Sequence, residues 1–303
     1  MSLDLKAEPI LEATLAKAGQ LAELFLEQTA ALTIVLDDNR IEKVLGGAEL
    51  GAGLRLIHDL STAYAVSNSV SQEGLLPLAR SLAALSRGPR VAPTPRQVLK
   101  PGLVSRILRP PRDADTAFKL DLVRAANAAA RAVDPRVRQV RVAYMEKVQR
   151  VRVVNSQGVD VEDLRTHLVF MVHCVAADQG EVQTGYESAG GLIGLELFDR
   201  QGPEEIARIA ARRAAMALTA RPAPGGSMPV VLHAEAGGTM VHEAVGHGLE
   251  ADLVLEGMSV YRDRVGQPVA SPLITVIDDA TLPGRRGSSG FDDEGVPSRR
   301  NVL

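Results

Sequence analysis

Between residues 137 and 188 the chain is a succession of short runs rich in β-branched and apolar residues, broken by tight-turn signals. Val137 to Met145, Val148 to Asn155, Val159 to Leu164, His167 to Ala176 and Glu181 to Ser188 each read as strand. Ser156-Gln157-Gly158 and Asp178-Gln179-Gly180 supply turn chemistry between them. Strands joined this tightly run antiparallel, which commits this part of the chain to an antiparallel sheet.

The first hundred residues read as a small α/β layer. Pro9 to Gly19 is a short amphipathic helix closed by glycine. Strand-like runs follow at Leu21 to Gln28, Leu32 to Leu36 and Ile41 to Leu45, with Asp37-Asp38-Asn39 as a hairpin turn. Gly53 to His58 and Thr62 to Ser67 extend the meander, and Gln72 to Ser86 is a helix stopped by Gly88-Pro89. Residues 89–112 carry six prolines and read as loop. Asp115 to Val133 and Pro203 to Ala220 are helices, the second with Glu204 and Glu205 in its first turn, as the helix dipole favours.

Arg221-Pro222-Ala223-Pro224-Gly225-Gly226-Ser227 reads as a domain boundary. The expected fold class is α+β: an N-terminal α/β domain with antiparallel sheets over residues 1–222, then the start of a β-rich domain over 223–303. In that second part Val230 to Ala234 is a strand, Gly237-Gly238-Thr239 a turn, and Met240 to about Asp252 a helix.

Bulk properties narrow the function classes. Hydrophobic residues make up 46% and charged residues 23%, the balance of a soluble globular protein. With no Trp, the core must be filled by Val, Leu, Ile and Ala. Lys plus Arg is 34 against 37 for Asp plus Glu, so the net charge of −3 gives no footprint for nucleic acid. Arginines cluster at 87–112 and 131–152, which reads as a solvated basic face or a groove for an acidic partner. One cysteine, Cys174, permits no internal disulfide. No signal peptide is visible, and no apolar stretch approaches the ~20 residues that cross a bilayer. These features point to the cytoplasm and away from the membrane. Walker-type and G-x-S-x-G motifs are absent, and no helix opens after the G-x-G pair at Gly51 and Gly53, which argues against dinucleotide binding.

The chemistry-bearing segment is Gly237-Gly238-Thr239-Met240-Val241-His242-Glu243-Ala244-Val245-Gly246-His247-Gly248-Leu249-Glu250-Ala251-Asp252. Two histidines five apart, with Glu directly after the first, resemble a zinc-peptidase motif with one residue too many. In a regular helix, positions i and i+5 diverge by about 140°, so His242 and His247 would not share an ion. Glu243, His247 and Glu250 would then line one face and form a carboxylate-rich site for a harder metal. A one-residue π-bulge instead brings the two imidazoles together. Gly246 is the residue expected to permit it, with close packing as the other reading of that glycine. With the bulge, His242 and His247 are candidate Zn²⁺ ligands and Glu243 the candidate general base for a water attacking a peptide carbonyl. Glu250 and Asp252 are candidates to orient the histidines, or surface acids. A third ligand is needed. Cys174 alternates with apolar residues in a strand and reads as a small buried side chain. His233, on the preceding run, is a weaker candidate.

These motifs resemble the TldD/PmbA family, on its metal-carrying, TldD-like side. The resemblance rests on residues 237–252 and is supported by Ile277-Asp278-Asp279-Ala280-Thr281-Leu282-Pro283-Gly284-Arg285-Arg286-Gly287-Ser288-Ser289-Gly290-Phe291-Asp292-Asp293-Glu294-Gly295 and on to Leu303. Ala22-Glu23-Leu24-Phe25-Leu26-Glu27-Gln28 and Thr62-Ala63-Tyr64-Ala65 also resemble the family, so the likeness runs from near residue 20 to the end. It implies a cytoplasmic heterodimer with a TldE/PmbA-like subunit, cleaving unfolded or extended peptides. Matched by position, it implies His242 and His247 as zinc ligands and Glu243 as the catalytic acid/base. The family's third ligand is a cysteine far towards its C-terminus, with no counterpart here. The chain stops in an apolar run at Asn301-Val302-Leu303, whereas family members continue, so the expectation is a C-terminally truncated or split product. The alternative function is a catalytically incomplete chain that only binds a partner or peptide.

Overall fold

The computed structural model describes residues 3–99, 102 and 105–303. Residues 100, 101, 103 and 104 of the expected proline-rich loop therefore lie outside the described residues. In chain order the elements are α1 (Glu8–Thr14), β1 (Leu21–Asp37), β2 (Arg40–His58), β3 (Ser61–Ser67), α2 (Gln72–Leu85), β4 (Gln97–Leu99) and α3 (Thr116–Arg131). Then come β5 (Val137–Asn155), β6 (Val159–Asp178), β7 (Glu181–Gly191), α4 (Leu197–Arg200) and α5 (Pro203–Ala217). Next are α6 (Ala234–Val241), α7 (Ala251–Leu255), β8 (Ile277–Asp279) and β9 (Arg300–Val302). The fold class is α+β.

Two compact units result, one of Met1–Ala220 with Asp279–Arg300, the other of Arg221–Asp278 with Asn301–Leu303. The expected C-terminal segment 223–303 is thus divided in space. Residues 279–300 pack with the first unit because Phe291, 1% exposed, is buried there among Val151, Val153 and Val161.

The first unit is a seven-stranded sheet in the order β3-β2-β1-β5-β6-β4, with β7 also on β6. All pairings are antiparallel except β4 with β6. The runs expected as separate strands merge. Thr29-Ala30-Ala31, which carries little strand preference, is held between Gly47–Glu49 of β2 and Lys147–Gln149 of β5. Two-sided pairing overrides local propensity there, and likewise extends β5 and β6. The Asp38-Asn39 turn closes β1 and β2 with both residues at positive φ, 45° and 68°, the conformation of a two-residue hairpin loop.

Alternation along the strands separates the two faces of this sheet. Even-numbered residues of β1, β5 and β6, such as Ile34, Val142 and Phe170, pack under α3 and α5. Leu24, Leu26, Leu54 and Leu56 of the same face pack under α1 and α2. Helix α5 sits very close to β7: a Cβ on Gly185 would lie 2.0 Å from the Ala210 carbonyl oxygen. The alanines Ala207, Ala210, Ala211 and Ala214 make that approach possible. Cys174 is fully buried in this core, as its place in the strand predicts.

Charged groups mostly serve the framework. Buried Arg152 holds Asp160 by two hydrogen bonds of 2.9 Å and donates to the carbonyls of Leu3 and Leu5, tying down the N-terminal segment. Other arginines of the two clusters also find carboxylates, including Arg96 with Glu8, Arg131 with Asp38 and Arg141 with Asp37. These arginines are thus engaged within the fold, a use that neither the solvated basic face nor the acidic-partner groove anticipated. Among the described residues no helix is long and apolar enough to cross a membrane.

The second unit is helical and irregular, with strand confined to the β8–β9 pair. The strand expected at Val230 to Ala234 does not form; Val230 and Val231 are 76% and 99% exposed, with no strand to pair against. Helix α6 starts at Ala234 instead of Met240, and takes in the expected Gly237-Gly238-Thr239 turn. Its first bonds run from the amides of Ala236 and Gly237 to the His233 carbonyl. Glycine costs helix stability without forbidding it, and here the hydrogen-bond ladder wins.

Candidate metal centre

Helix α6 runs directly into a π-helical turn, His242–Gly246, followed by a short 3₁₀ turn, His247–Leu249. The amide of His247 donates to the His242 carbonyl, the i to i+5 bond that inserts one residue into the spiral. Positions 242 and 247 thereby come onto the same side. Their rings lie with centroids 4.5 Å apart at 75°. Ligand atoms of His242, Glu243 and His247 all lie within 4.8 Å of one another, the group that could hold a metal ion among the described residues. All three side chains are exposed.

Each histidine nitrogen has a distinct setting. His247 Nδ1 lies 2.6 Å from Glu250 Oε1, while its Nε2 lies 3.7 Å from Glu243 Oε2. The hydrogen bond that His247 donates to Glu250, with the charge of Glu250 and Glu243 behind it, raises the His247 pKa above its ordinary 6.5. A carboxylate on one imidazole nitrogen fixes the ring and leaves the other free, the pattern that orients metal-binding histidines. Glu250 is outside the three-residue group and braces the His247 ring. Asp252, in the first turn of α7, accepts the Leu253 amide at its Oδ1 at 2.9 Å. The regular helix needed to set Glu243, His247 and Glu250 on one face is interrupted by the π turn.

The role expected of Gly246 is not required by its backbone. It sits at φ −56°, ψ −56°, open to any residue, and a Cβ there would meet only the His242 ring at 3.7 Å. Gly248 is the restrictive position: a Cβ would lie 2.6 Å from the Tyr261 ring. Tyr261 lies against Gly248 and donates its hydroxyl to the Ala244 carbonyl at 3.0 Å. The Ser259 hydroxyl donates to the Gly248 carbonyl. These two side chains satisfy carbonyls at the irregular end of the helix, where the normal ladder is broken. Sequence reasoning missed both, because nothing in the spacing from Gly248 to Ser259 and Tyr261 signals a contact.

The other candidates are not in the three-residue group. Cys174 belongs to the core of the first unit, and burial pushes its thiol up to about 11, which disfavours the thiolate a metal needs. His233 precedes α6 and is not in the three-residue group. Two imidazoles and a carboxylate fit a divalent transition ion. Beside the motif helix, an apolar cavity of about 520 Å³ is lined by Val245, Leu249, Tyr261, Val269 and Ile274.

Residues 22–86 match the PmbA/TldA metallopeptidase domain 1, residues 109–218 the central domain, and residues 225–303 the C-terminal domain. The chain is 31% identical over 290 residues to a metalloprotease TldD homolog of Haemophilus influenzae, covering 93% of this chain and 60% of that protein. It is 33% identical over 272 residues to a metalloprotease of Methanothermobacter thermautotrophicus, covering 89% and 59%. A solved structure of TldE from Thermococcus kodakarensis has the same fold, with TM-score 0.65 at 18% identity over 94% of this chain and 64% of that one. A Thermotoga maritima structure aligns at TM-score 0.79 with 19% identity, covering 93% and 64%. The chain spans about 60% of the length of the curated relatives it matches. On these matches, the chain belongs to the PmbA/TldD metallopeptidase family.

Proposed function

We propose that this chain carries the metal site of a zinc-dependent peptidase that acts on unfolded or extended peptides. The observation that supports it most is the π turn, which brings His242 and His247 to one side with Glu243 between them. In this reading His242 and His247 hold Zn²⁺. When bound, the ion polarises a peptide carbonyl and makes water a better nucleophile at neutral pH. Glu243 accepts the proton of the attacking water and passes it to the departing amine. Glu250 keeps the His247 ring turned and its Nδ1 proton engaged. A TldE/PmbA-like subunit is the partner this reading expects, and the cytoplasm its compartment.

Only two imidazoles are in the cluster, which favours a second reading: a chain that binds metal and peptide but does not cleave. Assay of the intact chain, alone and with a TldE-like subunit, against an unstructured peptide separates the two. Cleavage lost in both Glu243→Gln and His247→Ala, with zinc lost only in the latter, supports the peptidase. Zinc uptake without cleavage in either setting supports the second reading.

A further inference from the structure

The G-x-G pair of β2 hollows one face of the sheet. Gly51 and Gly53 lie opposite Glu27 and Phe25 of β1, and Gly53 lies opposite Val66 of β3. By strand alternation all of these share the sheet face that faces away from the helices. Without side chains at 51 and 53 that face is hollow: a cavity of about 610 Å³ opens over the two glycines. Tyr64 folds over Gly53, so that a Cβ there would lie 2.4 Å from its hydroxyl. A second cavity of about 220 Å³ continues the first, sharing Phe25, Gly53 and Tyr64.

The walls are acidic. Glu27 and Glu49 stand over the first cavity, and Glu23, Asp293 and Glu294 over the second. Arg55 is the single cation lining either cavity among the described residues, and it is already engaged by Glu23 and Glu294. Glu23 is buried, and desolvation raises its pKa despite the neighbouring Arg55. Five carboxylates against one guanidinium leave an uncompensated negative trough with an aromatic floor, which suits ammonium or guanidinium groups.

The strand beside the trough is also half open. β3 pairs with β2 only from Ala52 to His58. Residues 40–51 of β2 pair with β1 on one side, and among the described residues no strand covers the other. Such an edge presents free amides and carbonyls at strand spacing. We propose that the trough over Gly51 and Gly53 binds an extended, lysine- or arginine-bearing peptide segment, which adds to the open edge of β2 and sets its cationic side chains against Glu27 and Glu49. This site lies in the first unit and needs neither the histidine cluster nor a metal.

The test uses the intact chain and a fluorescent capped peptide of about ten residues alternating Lys and Val, a length that fits strand addition. Anisotropy titration is expected to show saturable binding. Neutralising Glu27 and Glu49 together, as E27Q/E49Q, is expected to weaken it about fivefold or more. Gly51→Leu, where a Cβ meets nothing closer than 3.7 Å, fills the trough without straining the strand and is expected to abolish binding. N-methylation of alternate peptide amides removes edge pairing and is expected to do the same, while His247→Ala leaves binding unchanged. Circular dichroism checks that each variant is folded. Equal affinity for an alternating Glu–Val peptide, retained binding by folded Gly51→Leu or by the N-methylated peptide, or no binding at millimolar concentration overturns the proposal.

Discussion

Glu250 Oε1 lies 2.6 Å from Nδ1 of His247, one 3₁₀ turn further along the chain, and this contact sets which ring nitrogen of His247 remains for a metal. Replacing Glu250 by Ala removes the brace and leaves both candidate ligands in place. The expected result is a loss of zinc affinity of about 10–100-fold, the usual cost of deleting such a partner. Competition against a chromophoric chelator measures it. In the metal-free chain, NMR titration of the imidazoles is expected to place the His247 pKa above 6.5 and to bring it down in Glu250→Ala. The sign follows from the hydrogen bond, which favours the protonated ring. Zinc held by His247 would therefore compete with a proton, and its affinity is expected to fall as pH drops through that raised value.

The two glycines of the motif are expected to behave oppositely. At Gly246 the backbone is helical and a Cβ has room, so Gly246→Ala is expected to leave zinc uptake intact and to stabilise the unit by about 0.4–1 kcal/mol. At Gly248 a Cβ collides with the Tyr261 ring, whose hydroxyl caps the Ala244 carbonyl. Gly248→Ala is expected to lower the melting temperature and weaken zinc binding. Tyr261→Phe, which keeps the ring and loses one hydrogen bond, is expected to cost about 1 kcal/mol. Thermal scans of the three variants side by side check the order.

In the first unit, buried Glu196 holds the segment before α3 by accepting the amides of Leu108, Arg109 and Gly194 at 2.9–3.1 Å. Burial raises its pKa, but these amides outweigh it and the carboxyl titrates below its ordinary 4.5. A depressed folded-state value stabilises the fold above the unfolded pKa, and that contribution is lost as pH falls through the folded one. Hydrogen exchange at the amides of 108 and 109 is expected to accelerate below pH 4.5, relative to α5. Glu196→Ala is expected to bring the same acceleration at neutral pH, with a cost of about 2–4 kcal/mol by chemical denaturation.

Much of this was legible in the chain. Turn residues at 38 and 39 announced the first hairpin, and the caps around α2, α3 and α5 placed those helices within a few residues. For His242 and His247 to share an ion their spacing needed an extra residue in the turn, and the π turn supplies it. What could not be read depends on contacts distant in sequence. Thr29-Ala30-Ala31 is strand only because two partners flank it. Phe291 returns to the first unit because a hollow among three valines receives it. The weight placed on Gly246 belongs to Gly248, since its constraint comes from a tyrosine 13 residues away that no local pattern connects.

The proposed zinc site depends on the loosened turn that brings His242 and His247 together. Elemental analysis of the intact chain, loaded with zinc and freed of excess by gel filtration, tests it directly. About one zinc per chain is expected in the parent and in Glu243→Gln, and none in His242→Ala or His247→Ala. A parent chain that retains no zinc, or a doubly substituted His242→Ala/His247→Ala chain that retains as much as the parent, contradicts it.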